Sequence, residues 1–231
     1  MEALIAYARP LAQGAVVTVG LAVLSLALAT LLGGLGAYGR LGGGRFGAWL
    51  VFIYTTIVRG IPDLVVILLV YFGGQRLVNT LAAALGAEAG FQVSPFVAGT
   101  VSIGFIYGAY LTETFRGAML SIPKGQAEAA WAFGMGRLQT FMRITAPQMV
   151  RYALPGFTNN WLVLIKATAL VSLIGLQEMT YAGKQAGAAT RSPLLFLLFT
   201  ASLFLVYTAV SLFLLRKLTA RFSLGTRRGT L

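Results

Sequence analysis

Residues 121–147 read SIPKGQAEAAWAFGMGRLQTFMRITAP, and the fold is decided by how this stretch is read. Ser121 can cap a helix, and Pro123 suits a first helical turn, where a missing N–H costs little. Lys124 to Phe133 then reads as a short helix, stopped by the turn Gly134-Met135-Gly136. Leu138, Phe141, Met142 and Thr145 recur at helical spacing, and Pro147 is expected to end that second helix. The spacing predicts a helix–turn–helix with the small residues Ala127, Ala129 and Ala130 along its short first helix. A surface of small residues lets another body approach closely. A loop that only covers its own bundle would show the same spacing, and Trp131 and Phe133 read as packing residues.

On both sides of this polar stretch the chain is apolar. Of 231 residues, 58% are hydrophobic and 10% charged, with a mean hydropathy of +0.81. A soluble domain carries roughly a quarter charged residues, so this chain has too little polar surface to face water all round. Runs of about 20 apolar residues mark membrane-spanning helices, and five are predicted, over residues 13–38, 48–72, 95–115, 155–176 and 194–215. Residues 116–154 form the loop between the third and fourth, and residues 1–231 read as one domain. Residues 73–94 are Ala-rich and weaker, a predicted short helix at the surface. The run from Leu11 to Ala37 is too long for a secretory signal's apolar region of about 7–15 residues, so it reads as a retained first span.

Several function classes fall away early. The chain has no Cys and no His, and only six carboxylates, so thiol chemistry, cysteine metal sites and the commonest general base are absent. The net charge of +12 does not form a basic patch among aromatics, as nucleic-acid binding would need. Instead the cations sit between apolar runs. Arg40, Arg45, Arg116, Lys124, Arg137, Arg143, Arg151, Arg216, Lys217, Arg221, Arg227 and Arg228 fall on one side; Arg9, Arg76, Lys184 and Arg191 fall on the other. Lys and Arg are enriched in cytoplasmic loops, so the N-terminus is expected outside and the C-terminus inside. Arg59 and Lys166 lie within spans.

Glu128-Ala129-Ala130 with Gly134, then Ile144 and Pro147, resembles the EAA loop of binding-protein-dependent ABC importer permeases. The blocks Arg59-Gly60-Ile61-Pro62, Glu113 to Ala118, Ile122 to Gln126, Leu164 to Leu170 and Gln177-Glu178 resemble the polar amino acid branch of that family. Phe105 to Gly117, Arg151 to Gly156 and Asn159-Asn160-Trp161 resemble the Q-type permeases of histidine/lysine/arginine/ornithine importers, with octopine and nopaline permeases close by. The match covers roughly residues 10 to 225. One departure is that Lys166 is often followed by Asp-Thr-Ser in such permeases, whereas Ala167 and Ala169 stand here, so roles of the missing Asp and Ser are not carried over.

The resemblance implies an all-α membrane protein of the type I ABC importer permease fold, with five transmembrane helices and a cytoplasmic coupling loop. Lys124, Gly125, Ala127, Glu128, Ala129, Ala130 and Gly134 would then meet an ATPase subunit, although Glu128 could equally fix the loop by a salt bridge. It further implies a homologous second permease, an ATPase dimer that binds ATP and Mg, and an outer amino-acid-binding protein, in a bacterial inner membrane. This chain would need no cofactor and hydrolyse nothing, and it has no Gly-x-x-x-x-Gly-Lys-Ser/Thr loop. The expected activity is import of basic amino acids by alternating access; a self-sufficient secondary transporter or channel is the alternative.

Ionisable groups inside spans are costly and mark pathways or pairs. Arg59 and Lys166 are expected near the middle of the hydrocarbon core, with Asp63 one turn beyond Arg59 on nearly the same face. Arg59 suits the carboxylate that all amino acids share, and Asp63 suits a cationic side chain. An Arg59–Asp63 ion pair, or contact with the partner permease, would account for the same residues. Lys166 would bind substrate or neutralise Glu113 or Glu178; Glu113, beside Arg116, would brace the loop. Glu178 is expected at the outer mouth, as a further candidate for substrate contact.

Overall fold

The computed structural model describes residues 5–86 and 90–222; Arg227 and Arg228 lie outside them. The described residues form nine α-helices and no strand: α1 (Ala8–Gly42), α2 (Gly44–Gly60), α3 (Asp63–Ala84), α4 (Pro95–Leu120), α5 (Lys124–Ala132), α6 (Arg137–Thr140), α7 (Ala146–Ala167), α8 (Met179–Ala189) and α9 (Pro193–Phe222). A π-helical turn, Phe141–Thr145, joins α6 to α7, and a 3-10 turn, Thr168–Ile174, follows α7.

Five stretches are long and apolar enough to cross a membrane: Ala8–Gly42, Asp63–Ala84, Pro95–Leu120, Arg137–Ile174 and Pro193–Arg221. The number agrees with the sequence reading, but the second span does not. Residues 48–72 are not one helix. Pro62 has no N–H to donate and disfavours helix at Ile61, so Ile61 (φ −104°, ψ 140°) and Pro62 (φ −58°, ψ 134°) are extended. Beyond the break α3 runs on to Ala84, through much of the segment assigned to a separate surface helix.

The core gathers on α4, where thirteen of 26 residues are buried. A helix buried over most of its surface needs close neighbours, and small residues let helix backbones approach in a membrane. A Cβ added at Gly33 of α1 would lie 2.6 Å from Leu111 Cβ, and one at Gly104 of α4 2.6 Å from Leu28 Cδ2. Around this line pack Leu21, Ile67, Ile103, Ile106, Leu164 and Val171. A second, smaller cluster of Leu11, Ala186 and Phe196 ties α8 and α9 to the start of α1. Apart from Phe196 and Thr200, the described residues of α9 are half-buried or exposed and mostly apolar. Lipid or another subunit can cover such a surface, and water cannot.

Candidate functional site

The break between α2 and α3 sets Arg59 in the last turn of one helix and Asp63 in the first turn of the next. Each charge suits the helix end it occupies, a cation at a C-terminus and an anion at an N-terminus. The expected one-turn relation is lost, because no helix runs between them. The described residues hold no Arg59–Asp63 ion pair; both ion pairs found there involve Glu113. Instead each charge is held from α4. The Tyr107 hydroxyl donates to Asp63 Oδ2 at 3.1 Å, and the Arg59 guanidinium carbon stands 5.2 Å from the centre of the Tyr110 ring.

Beside Arg59 a cavity of about 560 Å³ is lined by Arg40, Phe52, Thr55, Thr56, Tyr110, Glu113 and Arg116 among others. Arg116 Nε donates to Glu113 Oε2 at 2.8 Å, and Arg40 Nε lies 4.0 Å from Oε1 of the same carboxylate. Glu113 is thus engaged by two arginines, and three cations stand around one anion. Lys166, in the last turn of α7, is exposed, with no ion pair among the described residues. Neither of its expected partners is joined to it.

Glu178 is not at an open mouth. It is 0% exposed and caps the N-terminus of α8, where Oε2 accepts from the Thr180 amide and Oε1 from the Tyr181 amide, both at 2.8 Å. The Thr18 hydroxyl, 3.3 Å from Oε2, also lies 2.9 Å from the Gly14 carbonyl and accepts from the Met179 amide at 3.1 Å. Burial pushes the Glu178 carboxyl above its ordinary range, and the hydrogen bonds from Thr180, Tyr181 and Thr18 work against that shift. Nearby, a cavity of about 540 Å³ is lined by Gln13, Gln177, Gln185, Tyr7 and Tyr181 among others.

The stretch 121–147 folds as a short helix, a turn and a second helical segment, with three corrections. Ser121 does not cap α5: its hydroxyl bonds back to the Gly117 carbonyl at 2.9 Å and closes α4, while Pro123 takes the cap position. Pro147 ends nothing; it sits in the first turn of α7, just after the π-helical turn, where its missing N–H is tolerated. Trp131, Phe133 and Leu138 are 52%, 89% and 76% exposed, so within this chain they do not pack. Gly134 adopts φ +80°, and the amides of Gly134 and Met135 bond to the carbonyls of Trp131 and Ala130, a Schellman end. The three alanines divide: Ala130 is buried and Ala127 half-buried, whereas Ala129 is exposed with Lys124, Gly125 and Glu128.

Tyr107 and Tyr110 are the site residues that sequence reasoning did not single out. Their signal was present, as two tyrosines three apart on one helix face beside Gly104 and Gly108.

Comparison with known proteins agrees with this architecture. Residues 29–223 match the family described as "Binding-protein-dependent transport system inner membrane component". Over 219 residues the chain is 48% identical to the Histidine/lysine/arginine/ornithine transport system permease protein HisQ of Escherichia coli, covering 95% of this chain and 96% of that protein. It is 36% identical over 231 residues to the Arginine ABC transporter permease protein ArtQ of Escherichia coli, covering 95% and 97%. A solved structure described as "Crystal structure of an amino acid ABC transporter with histidines" superposes with a TM-score of 0.79 at 24% identity. It covers 94% of this chain and 96% of that one, a likeness of fold.

Proposed function

Because the chain belongs to the family of binding-protein-dependent transport system inner membrane components, we propose that it is a permease subunit of an ATP-driven importer of basic amino acids. The relatives named for histidine, lysine, arginine and ornithine, and for arginine alone, carry the substrate class. Membership in this family brings a binding protein and an ATPase as partners. A homologous second permease would complete the pathway, because half-buried and exposed apolar faces such as that of α9 need a cover. ATP hydrolysis then belongs to the ATPase subunits and not to this chain.

The binding protein delivers the amino acid from outside, and closure of the ATPase dimer drives the spans from one access state to the other. The lever is α5. Its exposed Gly125 and Ala129, flanked by the charged Lys124 and Glu128 and with Trp131, Phe133 and Leu138 beside them, offer a docking surface edged by apolar side chains. The Lys and Arg distribution supports an orientation with this loop and the C-terminus in the cytoplasm and the N-terminus outside. At the break, Asp63 would meet the cationic side chain of the solute and Arg59 its α-carboxylate. The observation behind this assignment is that the two charges flank a helix break without neutralising one another.

The test is arginine uptake into proteoliposomes holding this chain, its partner permease, the ATPase and the binding protein. Uptake should require ATP inside and the ATPase subunit. Uptake that persists without the ATPase would make the chain a self-sufficient transporter and overturn the reading.

A further inference from the structure

Tyr107 is 3% exposed in the middle of α4, and a buried tyrosine hydroxyl needs a partner. Its partner is Asp63 Oδ2, at 3.1 Å, and no other hydrogen bond reaches that carboxylate among the described residues. Oδ2 accepts from Tyr107, and Oδ1 carries no hydrogen bond among the described residues. Three residues on, the Tyr110 ring lies under the Arg59 guanidinium, with the two tyrosine rings 5.8 Å apart. Two opposite charges four residues apart are thus each held by a different tyrosine of a neighbouring helix. An arginine that met this aspartate face on could take both carboxylate oxygens in a bidentate pair. A solute would then have to break that pair before binding.

We propose that Tyr107 is a positioning residue for cation selection, holding Asp63 away from Arg59 so that one carboxylate oxygen stays free for the solute's cationic side chain. The inference rests on the reading of Asp63 and Arg59 given above. The hydroxyl is the working part, because the ring only fills space in the core. Tyr110 holds Arg59 through its ring face.

The test is direct binding of labelled arginine, with citrulline as its uncharged analogue. It uses the permease–ATPase complex in lipid nanodiscs without binding protein. Tyr107→Phe should weaken arginine binding about tenfold, the size of one hydrogen bond to a charged group, and leave citrulline unchanged. Tyr110→Phe keeps the ring under Arg59, whose assigned partner is the α-carboxylate that arginine and citrulline share, so any change it causes should be equal for the two ligands. A folding defect in Tyr107→Phe would lower both ligands together, and this result counts against the proposal, as does wild-type arginine binding. Asp63→Asn in the same assay separates the two levels. If it weakens arginine while Tyr107→Phe does not, the positioning role alone falls; if it has no effect, the site reading falls with it.

Discussion

Glu178 and Asp63 both stand at the start of a helix, yet the chain closes around one and leaves the other half open. Glu178 is enclosed, with each oxygen accepting a backbone amide at 2.8 Å and the Thr18 hydroxyl beside it. Asp63 is half-buried, has one oxygen on the Tyr107 hydroxyl, and lies next to an extended dipeptide instead of a packed turn. A carboxylate whose hydrogen-bonding capacity is used up holds structure together. One with a free oxygen, a helix break beside it and a cation that is kept apart has capacity left for a ligand. Sequence alone offered both as substrate contacts, and in the structure they differ in enclosure and in hydrogen bonding.

Glu178→Ala should have the largest effect on stability, because it leaves the Thr180 and Tyr181 amides without their acceptor in an enclosed place. We expect a loss of about 2–4 kcal/mol, seen as a fall in the melting temperature of the purified complex. Melting as in the wild type would remove the distinction between the two carboxylates. Next comes Gly14→Ala. The new Cβ would lie 2.8 Å from the Glu178 carbonyl carbon and 2.9 Å from Met179 Cα, both backbone atoms that have little room to move. A cost of about 1–3 kcal/mol follows from such overpacking, and recovery of monodisperse complex after detergent extraction would report it. The smallest stability change is expected at Asp63. Asp63→Asn keeps an acceptor for Tyr107 and should alter melting by less than about 1 kcal/mol, since only one hydrogen bond is weakened.

The fold was legible wherever hydropathy decides it. The apolar runs gave five membrane-crossing stretches, and the loop resemblance named the family that residues 29–223 match. The break at Ile61-Pro62 was harder to see, because hydropathy continues across it and only Pro62 signals the interruption. Taken as one continuous span over residues 48–72, the stretch sets Arg59 and Asp63 a helical turn apart, which the break undoes. Ser121 and Pro147 misled for a local reason. Each residue type serves either end of a helix, and only the neighbouring backbone decides which. Glu178 could not be read at all as a cap held by Thr18, since those two residues are 160 positions apart. The exposed Trp131 and Phe133 show the opposite limit, since an aromatic residue looks the same in sequence whether its partner is this chain or another.

Selection of cationic solutes by Asp63 is tested by ATP-driven arginine uptake by the complete importer in proteoliposomes, wild type against Asp63→Asn. The ATPase rate is followed in the same vesicles. Arginine uptake is expected to fall about tenfold in Asp63→Asn, the worth of one charge-assisted contact, while ATP hydrolysis stays responsive to the binding protein. Unchanged arginine uptake would contradict the claim and move selectivity to the partner permease or the binding protein.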